Sequence, residues 1–86
     1  MSRVSVIIPT FNRTLELKRA LESVFRQTYR DFRVIIVNDG GLYPKCIDEF
    51  GPDVPISYIS RVNGGPAAAR NSGIAAADSK YIAYLD

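Results

Sequence analysis

Two blocks of consecutive apolar residues stand out in the first half of the chain, Val4-Ser5-Val6-Ile7-Ile8 and Phe32-Arg33-Val34-Ile35-Ile36-Val37. Short, β-branched runs of this kind predict strands buried on both faces. Pro9 is expected to end the first, and Asn38-Asp39-Gly40-Gly41 the second. Between them Leu17, Leu21, Val24 and Phe25 recur at i, i+4, i+7 and i+8, one face of an amphipathic helix. Thr14 suits its N-cap, Glu16 its first turn, and the helix should stop near Gln27-Thr28. A short helix is expected over Pro44 to Phe50, and a turn at Gly51-Pro52-Asp53 and Pro55. Ile56 to Ser60 reads as a weaker third strand. After the loop Asn63-Gly64-Gly65, Pro66 fits the first position of a helix reaching about Ala76. Asp78-Ser79 is a turn, Tyr81 to Leu85 a fourth strand, and Asp86 the last residue.

The predicted order is β-α-β-α-β-α-β. Apolar strands alternating with helices imply an α/β, Rossmann-like parallel sheet covered on both faces. Right-handed crossovers favour strand order 3-2-1-4, half of a doubly wound fold. The carboxyl ends of strands 1 and 4 would then meet at a topological switch point, where such sheets bind ligands.

At 86 residues the chain is one domain, 1–86, with a small core. Its apolar share of 47% and charged share of 23% exclude a disordered tail or a coiled coil. A net charge of +2, with no basic block, gives no electrostatic case for nucleic acid. Without histidine the chain can form neither a Ser-His-Asp triad nor a two-histidine zinc site. One cysteine, Cys46, excludes an internal disulfide and fits a reducing, cytoplasmic setting. No apolar run is long enough to span a bilayer, and Val4–Ile8 is too short for a signal peptide.

The chemistry-bearing residues gather after the strands. Pro9, Thr10, Phe11, Asn12 and Arg13 follow the first, Asn38, Asp39, Gly40 and Gly41 the second, and Asn63, Gly64 and Gly65 the third. Asp39 can accept the ring N–H of uracil or guanine, and Phe11 offers a face to a base or ribose. Arg70, on the last helix with Asn71, can neutralise phosphate. Gly64-Gly65 leads into a helix N-terminus, which favours anions. Asp86 can meet a ribose hydroxyl or a hydrated cation. Each has a plainer role as well. Asp39-Gly40-Gly41 suits a turn, Phe11 a core edge, Arg70 a solvated helix face, and Thr10 and Asn12 helix caps. Their convergence on one sheet edge favours a nucleotide. The chain has neither G-x-G-x-x-G after strand 1 nor a P-loop. It also lacks the acidic residues a receiver-type phosphoacceptor would carry there.

Five segments in order carry a resemblance over essentially the whole chain. They are Val4 to Arg13, then Ser23-Val24 with Gln27-Thr28-Tyr29 and Asp31-Phe32, then Val37 to Gly40. Asn63 to Asn71 with Gly73, and Tyr81 to Asp86, complete the set. Together they resemble the start of family 2 glycosyltransferases, inverting enzymes of the GT-A fold. The fourth segment is similar to N-x-G-x-x-x-A-R-N-x-G, and the fifth to the strand entering D-x-D.

The resemblance implies that Pro9, Thr10 and Phe11 line a base and ribose pocket, with Asn12 and Gly40 alongside. Asp39 would bind the base, Arg70 with Asn71 would approach the diphosphate, and Asp86 would contact ribose or metal as the first acid of D-x-D. The implied ligand is a nucleotide-sugar, most often UDP-linked, with Mg or Mn bridging its diphosphate. Such enzymes use a carboxylate base and one in-line displacement on an acceptor hydroxyl. Two departures stand out. Asn38 replaces the first of two acids before Gly40, and Gly41-Leu42 replace the usual Ser and Asp. The sequence ends at Asp86, before the second acid and the catalytic base, so it reads as a truncated GT-A domain, inactive alone. Its last strand would be exposed, which favours a homo-oligomer through the sheet edge or face. The alternatives are a non-catalytic nucleotide-binding or self-assembling module, and an unrelated α/β domain of flavodoxin-like order.

Overall fold

The computed structural model describes residues 3–51 and 53–85. Strand β1 (Val4–Thr10) leads to helix α1 (Thr14–Arg26) and strand β2 (Phe32–Asp39). A single 3₁₀ helix (Lys45–Phe50) precedes strand β3 (Ile56–Arg61), helix α2 (Pro66–Ala76) and strand β4 (Tyr81–Tyr84). The strands form one parallel sheet in the expected order β3-β2-β1-β4.

Strand alternation divides the core between two faces. Val6, Ile8, Phe32, Val34 and Ile36 meet Leu17, Leu21 and Val24 of α1, and Cys46 joins them from the 3₁₀ helix. Ile7, Ile35 and Val37 face the other way, against Ala69 of α2. Small residues let α2 sit close. A Cβ on buried Gly73 would stand 2.5 Å from Cγ2 of Ile7. Cys46 is a buried free thiol, and burial pushes its pKa up. It behaves as a core residue rather than a nucleophile.

Several boundaries differ from expectation: β3 runs one residue past Ser60 to Arg61, β4 stops at Tyr84 instead of Leu85, and the short helix is 3₁₀ and starts at Lys45. Pro9 does not end β1, which runs on to Thr10. Arg3 and Ile7 direct their carbonyls toward β4, accepting from Tyr81 and Leu85. By the period of two, Pro9 turns its missing N–H to that same side, where the β1–β4 pairing stops at Ile7 and Tyr84. The β2 ladder on the other flank is untouched. β2 itself continues through Asn38 and Asp39, because Thr10 and Ser60 pair with Asn38 from both sides and Arg61 pairs with Asp39 from β3. Thr14 is the first helical residue, not the cap. Arg13 holds the cap position and makes no side-chain capping bond.

β4 is only half covered. Its four described residues are all exposed, and α2 packs on β1 and β2 instead.

Candidate functional site

The β1, β2 and β3 carboxyl ends open into a cleft of about 560 Å³ between the two helices. Pro9, Thr10 and Phe11 form one wall, Arg13, Glu16 and Leu17 of the α1 entry a second. Asp39, Asn63, Gly65, Pro66 and Ala69 close the third. The β1 and β3 loops and the end of β2 therefore meet at one edge of the sheet, as the strand order predicts. Phe11 is half exposed and free to stack.

Asn38 and Asp39 are consecutive strand residues, so their side chains take opposite faces. Asn38 is buried and holds the loop after β2. Its Nδ2 donates to the carbonyls of Gly41 and Leu42 and to the Tyr58 hydroxyl, at 3.0, 3.0 and 2.9 Å. Its Oδ1 accepts the Gly41 N–H at 2.9 Å. This explains the amide where an acid is usual in the resembled pattern. An aspartate would turn a carboxylate oxygen toward two carbonyls, with no donor to offer. The second departure has a cause too. A Cβ on Gly41 would stand 2.7 Å from Oδ1 of Asn12 and 3.1 Å from Oδ1 of Asn38. Asn12 adopts a left-handed φ of 53° and accepts the Leu42 N–H at 2.9 Å. It thus braces the β2 loop and does not line the cleft. Gly40, with φ of +90°, gives the chain its turn out of β2.

Asp39 faces α2, nearly buried, at the cleft floor. Gly64 N–H donates to its Oδ1 at 3.0 Å, and Gly65 N–H to its Oδ2 at 2.9 Å. The Nδ2 of Asn63 adds 3.3 Å to Oδ2 and 2.8 Å to the Asp39 carbonyl. Arg61 Nε lies 3.2 Å from Oδ1. The backbone N–H groups of Gly64 and Gly65 were expected to cradle a ligand anion. Instead Asp39 is the anion at the α2 entrance, where the helix dipole also favours it. Arg61 carried no motif and went unnoticed in the sequence.

The remaining candidates lie apart. Arg70 is exposed, its guanidinium 5.6 Å from the Tyr84 ring centroid, and neither it nor exposed Asn71 lines the cleft. Asp86 lies outside the described residues. Among the described residues no three His, Cys, Asp or Glu side chains group as metal ligands. None of their helices is long and apolar enough to cross a membrane.

Comparisons with known proteins agree on one lineage. The family described as "Glycosyl transferase family 2" matches residues 5–86. An uncharacterized glycosyltransferase of Rickettsia bellii is 44% identical over 99% of this chain, which spans 13% of that protein. The succinoglycan biosynthesis protein ExoW of Rhizobium meliloti is 39% identical over the full chain, here 29% of that protein. Among solved structures, the Pyrobaculum calidifontis mannosyltransferase PcManGT, in complex with GDP-Man and Mn²⁺, superposes with a TM-score of 0.77. It is 28% identical, and the match covers 87% of this chain and 24% of that one. TarS of S. aureus superposes with a TM-score of 0.84 over the whole chain and 27% of its own, at 24% identity. The chain thus spans less than a third of each of these proteins. With its sheet order and neighbours, the chain belongs to glycosyltransferase family 2 and carries the first strands of a GT-A fold.

Proposed function

We propose that residues 1–86 are the nucleotide-sugar-binding half of an inverting glycosyltransferase, and that the donor is a UDP-sugar. The observation that carries this is Asp39, a carboxylate held by three hydrogen bonds and the Arg61 ion pair at the floor of a cleft walled by Thr10 and Phe11. A carboxylate offers about four in-plane acceptor positions, and three are met here by hydrogen bonds from Asn63, Gly64 and Gly65. One position therefore stands open to an incoming ring N–H. That suits uracil, with one ring N–H, better than guanine, which would use a ring N–H and an exocyclic amine together. Phe11 stacks on base or ribose, Pro9 and Thr10 shape the wall, and Asn12 and Gly40 hold the opposite loop. Arg70, with Asn71, lends charge to the diphosphate.

The complex of PcManGT with GDP-Man and Mn²⁺ supports a divalent cation, Mg or Mn, in the whole enzyme. The described residues do not by themselves form its site. Asp86 is the residue assigned to it. The buried, unpaired Cys46 supports a reducing, cytoplasmic setting.

Isotope-edited NMR during UDP titration tests the site. Amide shifts of Thr10, Phe11, Asp39 and Gly65 are expected to move, while Ile56 at the far end of β3 stays put. Shifts confined to residues outside the cleft would refute the assignment. This half is expected to leave UDP-sugars unchanged when incubated with them alone. Measurable turnover by the purified chain would overturn that expectation.

Self-association is proposed through a second copy packing on β4. Tyr81, Ile82 and Tyr84 are 48%, 41% and 46% exposed on one short strand, an apolar patch that water disfavours. Arg3 and Lys80 sit over Tyr81, and Arg70 over Tyr84, so two copies bring like charges together. Light scattering is expected to give a mass that rises with concentration and more steeply in salt. A constant monomer mass would exclude the association.

A further inference from the structure

Arg61 ends β3 directly opposite Asp39 in the β2–β3 ladder. Its guanidinium serves four groups at once. Nε lies 3.2 Å from Asp39 Oδ1 and donates to the Val62 carbonyl at 3.0 Å. Nη1 donates to the Ala68 carbonyl at 3.0 Å and to Ser72 Oγ at 2.6 Å, both on α2. Nη2 lies against the Gly64 backbone, where a Cβ would come within 2.7 Å. A side chain at Gly64 would push this end of the guanidinium aside. The fork ties the end of β3, the carboxylate on β2 and the first two turns of α2 into one unit.

The carboxylate alone would not hold its direction. Gly64 and Gly65 donate to it, yet they belong to the loop that it holds in turn. Each fixes the other only if something fixes both. Arg61 does so from a strand end and a helix, the two rigid elements beside the loop. A lysine could not replace it, since one ammonium cannot reach Asp39, Ala68 and Ser72 in a planar fork.

We infer that Arg61 is a positioning residue of the donor site, acting through Asp39 to aim the carboxylate and set the 63–65 loop. This rests on the donor assignment made above.

The test uses the 86-residue chain with Arg61→Met, which keeps the apolar stem, and Arg61→Lys, each checked for folding by circular dichroism. UDP affinity is measured by calorimetry in the native and Asp39→Asn backgrounds. Amide exchange at Gly64 and Gly65 is followed by NMR without ligand. Arg61→Met is expected to weaken UDP binding about tenfold, the scale of one charge-assisted bond, and Arg61→Lys to recover only part. In the Asp39→Asn background the same change should cost under about twofold, because the partner is already altered. Exchange at Gly64 and Gly65 should quicken about tenfold, with Ile35 and Val37 unchanged. Equal affinity losses in both backgrounds would mean a merely structural role and would overturn the inference. So would native exchange and affinity in Arg61→Met. A native chain that binds no nucleotide refutes the donor assignment instead, and the exchange rates then decide alone whether Arg61 holds Asp39.

Discussion

Asp39→Ala is expected to cost about 3 kcal/mol of folding stability, the scale for breaking a buried ion pair, and to remove selective uridine-nucleotide binding. The stability loss follows from what the carboxylate leaves behind. Gly64 and Gly65 lose the acceptor of their N–H groups, and the Arg61 guanidinium loses its counter-charge. Each orphaned donor costs about 1–3 kcal/mol where water cannot replace the partner. Part of the loop is exposed, so water relieves some of this and the total stays near one buried pair. Asp39→Asn separates the two effects. It keeps shape and one acceptor oxygen, so stability should fall less, while the amide turns a donor toward donors and toward the ring N–H. Urea unfolding gives the first quantity and calorimetry the second. A chain of this length holds about 4–13 kcal/mol in all, so Asp39→Ala should still fold in the cold. A variant as stable as the native chain would show that the four contacts to Asp39 are not made in solution.

Gly73→Val is the second large effect, about 3 kcal/mol of lost stability, through the sheet rather than the cleft. The added Cβ would stand 2.5 Å from Cγ2 of Ile7, with Cδ1 and Cγ1 at 3.1 and 3.2 Å. Ile7 is fully buried and paired on both sides, by Ile35 and by Tyr84, so it has no room to retreat. A side chain gains a few tenths of a kcal/mol over glycine in helix propensity, which does not offset the overlap. α2 must therefore lift, carrying with it Ala69 and the 63–65 loop that Asp39 holds. UDP affinity should fall together with stability, although Gly73 does not line the cleft. Thermal or urea denaturation with a native-like midpoint would contradict this packing.

The fold was legible where one physical signal dominated. β1, β2 and α1 follow from runs and periods of apolar residues, and α2 from Pro66 at its first turn. The strand ends were not, because turn-forming Asn38 is drawn into the ladder by neighbours on both sides and Asp39 by Arg61 of β3. Local preference yields there to tertiary pairing. In the site, Thr10, Phe11 and Asp39 could be placed at one edge from topology alone. The Asp39 contacts could not, since they depend on the register of β3 against β2. That register sets Arg61 opposite Asp39, and an arginine ending a weak strand reads as solvated until its partner is known. Asn12 was misplaced for a similar reason. Its side chain serves the β2 loop thirty residues on, a contact without sequence periodicity.

Calorimetric titration of the folded chain with UDP, GDP and ADP, with and without Mn²⁺, tests most directly whether the cleft is a donor site. Binding of UDP in preference to GDP and ADP is the expected result, with the preference, though not all affinity, lost in Asp39→Asn. No nucleotide binding by a chain that circular dichroism proves folded, or binding indifferent to both base and Asp39, would contradict it.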